Sequence, residues 1–238
     1  MSTKSDRAKT KRYHRMREQV IDVAVELFSR NGYASTGVAD IGEAAGLARG
    51  ALYYYIGSKE ALLAEIHDRV LDPLLAEGAA ITRLEARFDV RLRLLSESLL
   101  WQIVNRHDHV WVFLHEYRQL QGDLRAKFRE KRGCFETFIR DVLAEGRAQN
   151  MLRGQDVDLA TLAFLNLHNY TYQWVGGRQG LGVEALSAFY CEIFLNGLLH
   201  QPGLAPAEAE LEHGRALLRA IRGTNGHRRQ RPADGPES

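Results

Sequence analysis

The chain has 238 residues, 45% of them hydrophobic and 26% charged, the mix of a globular protein rather than a disordered one. Its net charge of +2 is too close to zero to single out a polyanionic partner. No apolar run approaches the roughly 20 residues of a membrane span, and none follows the basic N-terminus as in a secretory leader. Cys134 and Cys191 form no CxxC pair, so reduced thiols in a cytoplasmic protein are expected. Four of the five prolines lie at or after Pro202, and Ala, Leu, Glu and Arg abound before it. That composition predicts an all-α fold.

Residues 1–16 read as a basic flexible arm. Lys4, Arg7, Lys9, Lys11, Arg12 and Arg15 face only Asp6, a pattern suited to phosphates. The first helix follows, with Val20, Ile21, Ala24, Leu27 and Phe28 on one face. It ends near Asn31-Gly32. Thr36 is placed to cap a second helix over about 38–45. Ala45-Gly46-Leu47 makes a sharp turn into a short third helix over 49–55. Gly57 breaks it, and Ser58 caps a fourth helix carrying Leu62, Leu63, Ile66, Val70 and Leu71. Further helices are predicted over 84–105, 110–121, 123–148, 157–174 and 183–199, with another over 206–221. No internal repeat and no convincing strand is seen. Residues 223–238, rich in Gly, Pro and Arg, are expected to be disordered.

The second and third helices carry the strongest functional pattern. With Gly46 at the corner, Val38, Ile41, Ala45, Leu47, Leu52 and Tyr55 fall where two crossed helices share a small core. Gly42 leaves room for a close backbone approach. Such a unit projects the start of its second helix into a DNA major groove. Here that start carries Arg49 and Gly50, followed by Tyr53 and Tyr54. Arginine can bond guanine O6 and N7 or a phosphate, and tyrosine can donate to phosphates or pack on thymine methyls.

The string from Thr36 to Leu62, with Phe28 and Gly32-Tyr33 before it, resembles the signature of the TetR/AcrR family of bacterial regulators. The resemblance covers about 17–63. The family usually has alanine at the position of Gly42, serine or threonine at Ala48, histidine or a similar residue at Tyr55 and phenylalanine at Ile56. Ala48 thus removes the usual cap from the recognition helix. The resemblance implies that Thr36, Tyr54, Tyr55 and Lys59 contact phosphate, and that Arg49, Gly50 and Tyr53 face the groove. It divides the chain into a DNA-binding head over 17–62 and an effector-binding and dimerisation body over 63–222. It implies a homodimeric repressor that a small molecule releases from a double-stranded operator.

The body is read more coarsely. Phe164, Leu165, Phe189, Ile193, Phe194 and Leu198, with small Ala188 and Gly197, suggest a helical dimer seam. Trp101, Trp111, Phe113, Tyr117, Phe138, Tyr170, Tyr172 and Trp174 supply aromatic surface for core or for an apolar pocket. Trp111, His115, Arg118, Tyr170, Trp174 and Arg178 are the ligand-binding candidates. Trp174 and Arg178, four apart, would suit the ring and phosphates of a coenzyme A thioester. Segments 110–120 and 172–181 loosely resemble TetR-type regulators of lipid or steroid catabolism that respond to acyl-CoA. His107, His109 and His115 do not share a metal-binding face. No P-loop, dinucleotide fingerprint or GxSxG occurs, so no cofactor and no catalysis are expected. An architectural DNA binder without effector, or a helical-bundle enzyme, are the alternatives.

Overall fold

A computed structural model describes residues 4–153, 156–176, 180–198 and 207–228, with side chains from Thr10 to Arg222 except that of Leu198. Eleven α-helices and one 3₁₀ turn make up the described residues, with no strand element. The head contains α1 (Lys4–Asn31), α2 (Val38–Ala44) and α3 (Arg49–Ile56). α4 (Lys59–Thr82) leads out of it. The body continues with α5 (Phe88–Asn105), α6 (His107–His115), a 3₁₀ turn (Tyr117–Gln119), α7 (Gly122–Ala148), α8 (Val157–Asn169), α9 (Tyr172–Val175), α10 (Val183–Leu198) and α11 (Glu208–Arg228).

Residues 4–16 are not the flexible arm expected. They form the first turns of α1, because no Gly or Pro interrupts the chain before Gly32 and its Lys, Arg, Ala and Met are good helix formers. The C-terminal tail is also more ordered than expected, since α11 continues to Arg228. The remainder of 223–238 lies outside the described residues. The helix expected from 84 starts at Phe88. That expected over 110–121 is α6 plus the 3₁₀ turn. The helix expected over 157–174 divides into α8 and α9. At the division Thr171 is fully buried, and its hydroxyl pairs with the Tyr190 hydroxyl at 2.8 Å.

Two apolar cores lie along the molecule. The head core gathers Val20, Ile21, Phe28, Ile41, Leu52, Leu63 and Ile66, and is completed by Val112, Leu120 and Phe128 from α6 to α7. The body core forms around α5, whose residues from Phe88 to Leu100 are all buried, charged ones included. α4, α7, α10 and α11 pack on α5 from different sides. The charges on α5 are therefore paired rather than solvated, as burial requires. Glu97 takes two bonds from Arg215 of α11, at 3.1 and 3.3 Å. In the same way Glu77 of α4, 1% exposed, takes two from Arg222 of α11, at 3.0 and 3.2 Å.

Candidate nucleic-acid interface

The turn between α2 and α3 is built tightly. Gly46 adopts φ +67, a left-handed conformation that costs glycine least. The Leu47 N–H then donates to the Gly42 carbonyl at 2.8 Å. A Cβ on Gly42 would lie 3.0 Å from the Leu47 carbonyl oxygen, so the absent side chain lets the corner close. The family's usual alanine here would need a shift of a few tenths of an ångström. Leu52 is fully buried and Ile56 nearly so. They fix the rotation of α3, and that rotation decides which residues face solvent.

Arg49 and Gly50 are exposed at the start of α3. Tyr53 and Tyr54 follow on the same outward side, 39% and 70% exposed. The Arg49 guanidinium lies 6.0 Å from the Tyr53 ring centroid. Gly50 has nothing within 4 Å of where a Cβ would stand, so the helix surface is open there. Ala48 is the N-cap of α3 and makes no side-chain cap bond. The first amides of α3 therefore lack a protein side-chain acceptor at the end that faces outward. Tyr55 is half-buried, and its ring lies 5.2 Å from Tyr54 and 5.2 Å from Tyr13 of α1.

Thr36 is placed otherwise than the sequence suggested, and Lys59 has partners within the head. Thr36 is 1% exposed, and its hydroxyl donates to the Gly32 and Leu27 carbonyls. It ties the chain to the end of α1 instead of facing outward. The cap position of α2 is Gly37, whose N–H donates to the Asp40 carboxylate at 2.6 Å. Lys59 donates to the Tyr33 carbonyl and lies 4.0 Å from the Tyr33 ring centroid. Partial burial holds its ammonium below the ordinary lysine value, despite nearby Glu116 and Asp40. Its first role is to join α4 to the loop after α1.

The described ligand candidates lie on α6, the 3₁₀ turn after it, and the α8–α9 junction and α9. Trp111 and His115 stack at 4.4 Å, and His115 Nε2 lies 3.0 Å from the Tyr172 hydroxyl. Arg118 is exposed beside the Tyr117 hydroxyl. Tyr170 is 67% exposed. Trp174 instead lines a groove of about 460 Å³ with Leu181, Ala185, Leu186, Phe189 and Tyr190. Arg178 lies outside the described residues. Tyr172, one of the aromatics of the core-or-pocket set, links α9 to both His115 and His107. His107 Nε2 lies 2.9 Å from the Tyr172 carbonyl.

The apolar surface of α8 and α10 also differs from the sequence reading. Phe164 is fully buried and Leu165 nearly so, hence both are core. Phe194 packs edge-on to Phe164 at 5.4 Å. Phe189 and Ile193 are 56% and 53% exposed, and are joined by Leu159 and Leu162 of α8 at 66% and 48%. Ala188 is half-buried and Gly197 exposed; the Leu198 side chain lies outside the described residues. No helix is long and apolar enough to cross a membrane, and no acid, His or Cys cluster fit to hold a metal occurs, both among the described residues.

Head and body connect through polar contacts. Arg17 of α1 donates to Glu65 of α4 at 3.2 Å, and Arg69 of α4 to Glu18 of α1 at 2.7 Å. Burial acts to raise the Glu65 carboxyl, but Arg17 and Arg69 outweigh it and hold it below its ordinary value. Just after α6, Glu116 accepts the Tyr33 N–H at 3.0 Å. From the start of α7, the Gln121 N–H donates to Glu60 at 2.8 Å.

Two family descriptions match the chain in succession. The family described as "Bacterial regulatory proteins, tetR family" matches residues 20–66. "Tetracyclin repressor-like, C-terminal domain" matches residues 86–198. The fatty acid metabolism regulator protein of Bacillus subtilis is 28% identical over 190 residues, covering 76% of this chain and 94% of its own. The ketosteroid transcriptional regulator KstR2 of Mycobacterium tuberculosis superposes with a TM-score of 0.71 at 25% identity, covering 78% of this chain and 95% of its own. The regulator FadR of Bacillus subtilis, solved with stearoyl-CoA, gives 0.62 at 27% identity, covering 76% and 98%. With an N-terminal head that presents Arg49, Gly50, Tyr53 and Tyr54 and a helical body matched in its own right, the chain belongs to the TetR family of bacterial regulators and is a DNA-binding transcription regulator rather than an enzyme.

Proposed function

We propose that the protein is a cytoplasmic homodimeric repressor whose grip on a two-fold operator is released by an acyl-CoA thioester. In this reading residues 17–62 bind DNA, and residues 63–222 bind effector and dimerise. One observation carries the DNA-binding part: burial of Leu52 and Ile56 turns Arg49, Gly50, Tyr53 and Tyr54 outward together. Arg49 and Tyr53 would read base edges in the major groove, with Gly50 permitting close approach and Tyr54 and Tyr55 reaching phosphates. The uncapped amides behind Ala48 would add a phosphate site.

The dimer reading is supported by Leu159, Leu162, Phe189 and Ile193, whose exposure leaves α8 and α10 with an uncovered apolar face. A two-fold operator demands such a pairing, because its two heads must reach major grooves about 34–36 Å apart, one helical turn of B-DNA. The effector class is supported by the stearoyl-CoA complex of the FadR relative. Binding that displaces α9 would strain the Tyr172–His115 contact. Glu116, which follows α6, would carry the displacement to Tyr33 in the head. Effector lowers operator affinity only as far as it prefers the displaced arrangement.

The test is an operator selection with the purified protein, followed by titration of the complex with acyl-CoAs of graded chain length. A symmetric footprint released by at least one thioester, and by no free acid or coenzyme A alone, is expected. Binding with no preferred sequence would identify an architectural DNA binder and overturn the reading. A footprint that no thioester shifts would keep the regulator and remove the effector class.

A further inference from the structure

α1 is longer than a helix-turn-helix head requires. The family match begins at residue 20, yet the helix starts at Lys4. Its added turns are strongly basic, with Lys4, Arg7, Lys9, Lys11, Arg12 and Arg15 against Asp6 alone. Among the side chains described, Lys11, Arg12 and Arg15 are exposed.

The extension is seated on the recognition helix. The Tyr13 ring stands edge-on to Tyr54, with centroids 5.3 Å apart at 82°. It also lies 5.2 Å from the Tyr55 ring. Aromatic pairs at such distances add to packing and fix direction. Four residues on, the Arg17–Glu65 pair holds α1 to α4. The extension thus leaves the head as a continuation of a packed helix, beside the exposed face of α3.

Dimensions and charge select its partner. From Tyr13 back to Lys4 a helix advances about 14 Å, at roughly 1.5 Å per residue. A major groove is about 12 Å wide, so the extension is long enough to reach the strand beyond the groove that α3 enters. A helix about 10–12 Å across is too thick for a minor groove of about 6 Å. Its cations therefore meet phosphates from outside the groove and not base edges within it. A loose arm could thread the minor groove; a helix cannot.

We infer that the N-terminal extension of α1 is a second DNA-contacting element, a helical strut seated by Tyr13 on α3 that grips the phosphate backbone flanking each half-site. This rests on the proposed DNA-binding reading. It adds affinity and footprint length without adding sequence preference, because phosphate contacts carry no sequence information.

The experiment compares the full-length chain with the triple variant K11Q/R12Q/R15Q on the selected operator, across a salt series. Gln has nearly the helix propensity of Lys and Arg, so helix content by circular dichroism should be unchanged. The slope of log K against log salt should become shallower by about 0.9 for each phosphate no longer neutralised. Hydroxyl-radical protection should disappear at the outer flanks of both half-sites, while the ranking of operator sequences stays the same. Y13A, which keeps every charge but removes the seat, should blur the same outer protection. Unchanged slope and flanks in the triple variant, beside a normal footprint at the half-site centres, would overturn the strut and leave the regulator intact. A wild-type chain with no preferred site would instead overturn the reading beneath it.

Discussion

The head and the body solve the same packing problem with different chemistry. In the head, the core is largely apolar, and the buried Thr36 hydroxyl and His67 ring each pair with a nearby backbone carbonyl. In the body, the central helix α5 buries Asp89, Arg91, Arg93, Ser96, Glu97, Ser98 and Gln102 alongside its leucines. The difference teaches where each region's specificity lies. The head needs only a fixed rotation of α3, and Leu52 and Ile56 supply it. The body must hold several helices in one register, and a buried charge is satisfied in only a few arrangements. The Arg215–Glu97 and Arg222–Glu77 pairs index α11 against α5 and α4.

The sharpest way to break this contrast is to remove one charge from the body. Glu97→Ala leaves the nearly buried Arg93 without its carboxylate and takes from Arg215 its one buried carboxylate partner, the more exposed Glu208 and Glu212 remaining. We expect a loss of about 3–5 kcal/mol by denaturant unfolding. Phe28→Ala in the head should cost a similar ~3–5 kcal/mol through a cavity alone. Raising salt should leave the relative cost of the Phe28 change unaltered. A loss under about 1 kcal/mol for Glu97→Ala would show that the polar register is dispensable.

Acid should act on both regions through buried histidines. His67 in α4 lies edge-on to Phe128, 1% exposed, and burial lowers its pKa to about 4. His168 in α8 is fully buried and is also lowered to about 4 by burial. Its Nδ1 faces the Phe164 carbonyl at 2.7 Å and its Nε2 the Ser96 hydroxyl at 2.7 Å. The neutral ring with Nδ1–H donating and Nε2 accepting fits both contacts. In the unfolded chain each ring takes up a proton near its ordinary value of 6.5. The stability they contribute is therefore complete above that value and falls as pH drops towards 4. Each should account for roughly 2–3 kcal/mol between neutral pH and pH 4.5. His168→Gln should remove about half of that pH dependence in thermal unfolding; an unchanged profile would contradict the assignment.

The smallest effect belongs to the missing cap. Ala48→Ser places a hydroxyl at the start of α3 and should stabilise the head by about 0.5–1 kcal/mol. If the free amides behind Ala48 serve a phosphate, the same change should leave operator affinity flat or weaker despite greater stability. Stability and affinity rising together would remove that role.

The head was largely legible in the sequence because its demands are local. Gly42, Gly46 and Ser58 act within a few residues, and Ser58 does accept the Ala61 N–H at the start of α4. The missed features depended on distant partners. Thr36 turned inward because the carbonyls of Leu27 and Gly32 lie under it. The helical start of α1 was hidden by its charge, which reads as solvated tail until Tyr13 is seen against Tyr54. In the body, periodicity gave most helices but not what covers them. The pattern of α5 does not show that α4, α7, α10 and α11, the last more than a hundred residues on, pack on it. Leu165 and Leu162, three apart in α8, fell on opposite sides of the core boundary. A helical wheel cannot tell which stripe meets the protein and which is left uncovered.

The central claim is that the outward face of α3 reads DNA. Its most direct test is a footprint of wild-type and Arg49→Ala protein on a library of operator variants at one salt concentration. The account predicts a symmetric wild-type footprint, and for Arg49→Ala a loss of preference worth about 1–3 kcal/mol at one base pair in each half-site, with other positions unchanged. An Arg49→Ala protein that ranks every operator variant as the wild type does would contradict it.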